Sequence, residues 1–137
     1  MVNVLLLEDE VHVRRALARS LEAWGHDVTE VDSVELAEAA LAALAMDLLV
    51  LDVNLPDATG WDLLRSLALK GQRSPPAIVI SAIQPSLTRV HEFQPVGVLN
   101  KPFPIESLRR MVDDIERRHV DATSNRNDAM TAQEKGT

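Results

Sequence analysis

The chain contains no cysteine. That excludes disulfides and thiolate metal sites and fits a reducing compartment. A long apolar stretch is missing too. The opening MVNVLLLEDE carries only the short run VLLL, without a basic flank, and so reads as neither secretory signal nor membrane span; a cytoplasmic protein is expected. Basic residues are in deficit, 14 Lys and Arg against 21 Asp and Glu, for a net charge of −7. The deficit argues against sequence-independent nucleic-acid binding, which needs clustered Lys and Arg. It suits a soluble protein that meets cations or basic partner surfaces. What is present is a hydrophobic fraction of 46% in 137 residues, enough for one domain that buries about two-thirds of its unfolded surface.

Short apolar runs recur at residues 4–7, 28–31, 48–51, 77–80 and 96–99. Their starts lie roughly twenty to thirty residues apart with helical patterns between them, the signature of repeated βα units. Four runs are nearly continuous in Val, Ile, Leu and Ala, as strands covered on both faces require. The exception, Val28-Thr29-Glu30-Val31, has a polar middle and is predicted to be the sheet edge. The first helix carries Val13, Leu17, Leu21 and Trp24 on one face and stops at Gly25. Ser33 caps a second over residues 34–44. A third follows Gly60, carries Leu64 and Leu67 and stops at Gly71. The stretch QPSLTRVHEFQP, bracketed by Pro85 and Pro95, offers only Leu87, Val90 and Phe93 for burial, so the fourth helix should be short. The fifth presents Ile105, Leu108, Val112 and Ile115. Beyond Arg118 the pattern ends. Residues 119–137 hold too little apolar surface to offset ordering entropy and are expected to form a disordered polar tail.

The polar residues that punctuate the strands are more informative than the strands. Glu8 and Asp9 follow the first, Asp52 closes the third, Ser81 closes the fourth, and Lys101 follows the fifth. In a parallel sheet these side chains converge on the carboxyl edge, where open α/β sheets bind ligands at a switch in strand order. The second strand contributes none. The order 2-1-3-4-5, a (βα)5 flavodoxin-like doubly wound α/β sheet, accounts for both facts. Paired unit charges at about 4 Å cost on the order of 4 kcal/mol at an effective dielectric of 20, so three carboxylates call for positive charge. Lys101 supplies one. Oxygen-only ligands without His or Cys suit Mg²⁺, which keeps open positions for a phosphoryl group. A carboxylate, a Mg²⁺ site, a lysine and a hydroxyl are the parts that phosphoryl transfer uses, and one carboxylate can become an acyl phosphate.

These pieces, LLLEDE, LVLDVNLPDATG, IVISA and LNKPF in that order, resemble the receiver domain of two-component response regulators over about residues 2–118. The resemblance implies that Asp52 accepts a phosphoryl group from a histidine kinase or a histidine phosphotransfer protein. It places Mg²⁺ on Glu8, Asp9, Asp52 and the backbone carbonyl of Asn54. It gives Ser81 and Lys101 to the phosphoryl oxygens and makes the Lys101–Pro102 bond cis. It also implies a chain that catalyses its own phosphorylation and dephosphorylation without being a turnover enzyme. No output domain is recognised, so output would run through protein contacts, including pairing of two copies, or through phosphorelay. Glu8 stands where the family more often has Asp, Val98 where many members have Tyr or Phe, and the stretch from Ser81 to Lys101 is shorter than in many receivers. Two other readings stay open: a pseudo-receiver that binds partners without phosphoryl turnover, and a phosphohydrolase resembling the haloacid dehalogenases. Against the latter, the acidic pair here precedes the candidate nucleophile, and Asn54 stands where that family's general acid would be.

Overall fold

Residues 1–55 and 58–119 are described by the computed structural model. Strands and helices alternate: β1 (Asn3–Leu7), α1 (Val11–Ala23), β2 (Asp27–Val31), α2 (Val34–Ala43), β3 (Leu48–Asp52), α3 (Gly60–Leu69), β4 (Ala77–Ser81), α4 (Leu87–Phe93) and β5 (Gly97–Asn100). A fifth helix, α5, occupies 105–119. The expected tail lies outside the described residues from 120 onward, and His119 still belongs to α5.

The five strands form one parallel sheet in the order β2-β1-β3-β4-β5, as predicted. The continuous apolar strands β3 and β4 are buried at every position, whereas β2, with its polar middle, lies at the edge and is mostly half-exposed. One boundary shifts: β5 opens at Gly97, not Val96, which stays 43% exposed.

Alternation along each strand splits the core into two layers. Val4, Leu6, Leu48, Val50, Ile78 and Ile80 face one side and pack with Leu17 and Leu21 of α1 and Leu108, Val112 and Ile115 of α5. Leu5, Leu7, Leu49, Leu51 and Val79 face the other side, under Ala37 of α2, Leu63, Leu64 and Leu67 of α3, and Val90 and Phe93 of α4. The faces read from helical spacing are thus the buried ones, with one correction. Ile105 is 39% exposed, because it stands on the first turn of α5, ahead of where the helix meets the sheet.

The helix ends follow local chemistry. Ser33 accepts from the Leu36 N–H, as its position before α2 predicted, and Thr59 with Asp62 closes a capping box on α3. Gly25 and Gly71 take the positive φ that ends α1 and α3. By contrast, α4 spans only Leu87–Phe93, holds no buried residue and has no side-chain bond at its N-cap. No helix among the described residues is long and apolar enough to cross a membrane.

Candidate functional site

The carboxyl ends of β1, β3 and β4 and the start of the turn after β5 bring the expected residues together. Glu8 continues β1 and is buried to 1% exposure, while Asp52 ends β3 at 3%. Register explains the proximity: Leu7 sits opposite Leu51, so the next residues leave adjacent strands side by side. Asp9 is exposed at the rim. One oxygen each of Glu8, Asp9 and Asp52 falls within 4.8 Å of the others. Gly60 makes the tight fit around Asp52 possible. A Cβ there would stand 2.9 Å from the Asp52 carbonyl oxygen and 3.0 Å from Leu51 Cβ.

Lys101 reaches this cluster from a turn whose Lys101–Pro102 bond is cis. Its Nζ donates to Glu8 Oε2 at 2.8 Å and to Asp52 Oδ2 at 3.1 Å. Two carboxylates thus share one ammonium. Burial pushes the Glu8 carboxyl up to about 7; Lys101 opposes that rise and Asp52 adds to it. Lys101 itself loses by burial but is held above its ordinary value by Glu8 and then Asp52. The two directions agree physically: the lysine gains from two anions, while the more deeply buried anion has only half a cation. The Glu8 carboxylate, one methylene further from the backbone than an aspartate's, is buried where it meets the lysine. The remaining Glu8 oxygen accepts from the Glu10 N–H at 3.3 Å.

The other oxygen of Asp52 accepts from the Asn54 N–H at 2.7 Å. Ser81 is fully buried at the end of β4, and its Oγ lies 3.0 Å from Asn54 Oδ1 and 2.5 Å from the Ile83 carbonyl oxygen. The five strand-end residues named from sequence are therefore all at one edge, with Asn54 linking Asp52 to Ser81. Pro56 and Asp57, within the motif LVLDVNLPDATG, lie outside the described residues.

Several participants were not singled out from sequence. Arg14 donates to the Glu8 carbonyl at 3.1 Å and pairs with Glu30 at 3.4 Å. Its position one turn into α1 was the only available signal. Glu10 caps α1 by accepting from His12 and Val13 N–H groups, so it serves the helix, not the acidic cluster. The Ala82 N–H donates to Asn54 Oδ1 at 2.7 Å, a backbone role no residue type announces. His12 is exposed, and Trp61 is a packing residue stacked on Phe93 with ring centres 5.9 Å apart.

A second cluster, His26, Asp113 and Glu116, has the residue types of a metal site. The histidine argues against it. Its Nδ1 accepts from the Val2 N–H at 3.2 Å, so the neutral ring carries its hydrogen on Nε2 and has no lone pair left to aim at a metal. Two surface concavities, of about 360 and 340 Å³, share Leu44, Ala45 and Met46 and touch none of the strand-end residues.

A doubly wound five-stranded parallel sheet with an acid pair, an aspartate, a serine and a lysine on its carboxyl edge defines a receiver-type α/β protein. The profile of the response regulator receiver domain matches residues 4–113, and the chain belongs to that family. Among curated relatives, it is 32% identical over 126 residues to the KDP operon transcriptional regulatory protein KdpE of Escherichia coli, covering 90% of this chain and 55% of that protein. It is 32% identical over 118 residues to the swarming motility regulation protein RssB of Serratia marcescens, covering 85% and 54%. The chain thus spans about half the length of these relatives. Solved structures share the fold. The Francisella response regulator 1452 receiver domain superposes with a TM-score of 0.78 at 23% identity, covering 87% of this chain and 99% of that one. The Thermotoga maritima response regulator TrrA, solved in complex with Mg²⁺ and BeF, gives 0.74 at 20%, covering 84% and 99%.

Proposed function

We propose that this receiver takes a phosphoryl group on Asp52 from the phosphohistidine of a histidine kinase or histidine phosphotransfer protein. A carboxylate oxygen of Asp52 forms the new P–O bond as the P–N bond breaks, and the electron pair leaves with the imidazole. The observation that carries the reading is the shared ammonium: Lys101 bridges Glu8 and Asp52 at 2.8 and 3.1 Å. It is already placed to neutralise the charge of the phosphoryl oxygens that Asp52 receives.

The residues fit a hard divalent cation. Three carboxylates gather around one ammonium that pairs with only two of them, the donors are all oxygen, and exposed Asp9 opens the cluster to solvent. Glu8, Asp9, Asp52 and the Asn54 carbonyl would hold Mg²⁺, which when bound offsets the negative charge of the incoming phosphoryl group. Ser81 offers a hydroxyl to a phosphoryl oxygen. Asp52 is freed for the donor when its hold on Lys101 loosens. Output then passes to a protein partner or onward by relay. Ile83, bonded to Ser81, and Leu87 at the start of α4 are 68% and 80% exposed and present apolar surface for such a contact. The hydrolase reading gains nothing from the geometry, since Asn54, standing where a general acid would be, offers an amide.

Incubation with Mg²⁺ and acetyl phosphate, followed by intact mass measurement, should show the gain of one phosphate. Asp52→Asn should abolish it. Failure of the wild type to gain mass, or a gain that survives Asp52→Asn, would sink the proposal.

A further inference from the structure

Two donors at the end of β4 converge on a single oxygen. Ser81 Oγ lies 3.0 Å from Asn54 Oδ1, and the Ala82 N–H donates to the same atom at 2.7 Å. The hydroxyl has one hydrogen, which the Ile83 carbonyl at 2.5 Å contests. Two donors fixed on the end of a fully buried strand make a seat suited to an oxygen bearing negative charge. A neutral amide oxygen fills it here. The seat adjoins Asp52, because the Asn54 N–H is itself bonded to Asp52 Oδ1 at 2.7 Å. Asn54 is thus pinned to Asp52 through its backbone and to Ser81 and Ala82 through its side chain.

We infer that the Asn54 carboxamide oxygen is an internal stand-in for a phosphoryl oxygen, a latch that a phosphoryl group on Asp52 displaces from Ser81 and Ala82. The inference rests on the receiver reading above. Displacement uncouples the loop after β4 from the loop after β3. That loop leads straight into α4, which holds no buried residue and no side-chain cap. The site is thereby connected to α4 without an aromatic ring at position 98, where this chain has Val98. Asn54 acts as a positioning residue in this scheme, since it holds the donors and touches Asp52 only through its N–H.

Asn54→Ala removes the oxygen and keeps the N–H bonded to Asp52. Beryllofluoride titrated in the presence of Mg²⁺ and read by tryptophan emission should half-saturate this variant at about one-fifth of the wild-type concentration, the worth of one neutral hydrogen bond. Unchanged or weaker binding, in a wild-type protein that does take phosphate on Asp52, overturns the latch and leaves the receiver reading standing. If the wild type takes no phosphate, that reading fails separately. The latch is then decided on the unliganded protein by amide exchange at Ala82. Exchange should quicken by about fivefold in Asn54→Ala and stay near wild type in Asn54→Asp, which keeps an acceptor. Equal exchange in wild type and Asn54→Ala overturns it.

Discussion

Glu8 shows how one methylene changes a site. Glu8, one methylene longer than an aspartate, meets Lys101 at 2.8 Å and is buried there. The consequence is a carboxyl that titrates at about 7 folded against 4.5 unfolded. Between those values the folded state holds the extra proton. The contribution of this group to stability is therefore full below the unfolded value and is lost as pH rises to about 7. We expect the metal-free protein to lose melting temperature over that interval, and Glu8→Gln, which can still accept from Lys101, to lose less. Melting curves in chelator across the interval check this, and equal slopes for the two proteins would contradict it. Added Mg²⁺ needs the ionised carboxyl, so its stabilisation should grow across the same interval.

Elements differ in how firmly they are held. The third helix is anchored by Leu63, Leu64 and Leu67 and by its capping box. The fourth relies on half-buried Val90 and on Phe93, stacked on Trp61. We therefore expect the amides of α4 to exchange faster than those of α3. Phe93→Ala should lose about 0.5–1.5 kcal/mol from the ring pair in addition to the buried area, and should speed α4 exchange while leaving α3 unchanged. Uniform acceleration across both helices would mean that α4 is not a separable unit. This contrast was readable in the sequence, because Pro85 and Pro95 bracket a segment with three apolar residues, whereas the other helices repeat theirs at helical spacing. The strand-end residues were readable too, since parallel strands all deliver their ends to one edge. Other features were not. Loops have no period, so nothing in the letters placed Asn54 Oδ1 against Ser81 and Ala82. Sharing of Lys101 between Glu8 and Asp52 depends on side-chain reach, and the exposure of Ile105 depends on where α5 first meets the sheet.

Across the whole molecule, the sheet is a partition. Leu48 and Val50 look toward α1 and α5, Leu49 and Leu51 toward α2 and α3, and the same alternation carries Glu8 and Asp52 to the α1 side and Ser81, following Val79, to the α4 side. The charged groups and the hydroxyl therefore approach the carboxyl edge from opposite faces, with Asn54 spanning them. A volume-conserving exchange within the stem, such as Leu49→Ile, should cost less than about 1.5 kcal/mol and leave phosphorylation intact. Inserting a single alanine between Leu49 and Val50 should abolish phosphate uptake, because a one-residue slip sends every later side chain to the wrong face; uptake by a folded insertion variant would refute this. The pleat of β3 thus sets two different rules for change over time. Its letters are free to drift among aliphatic residues, but its length is frozen, and descendants of this chain should differ in the spelling of the stem and never in its count.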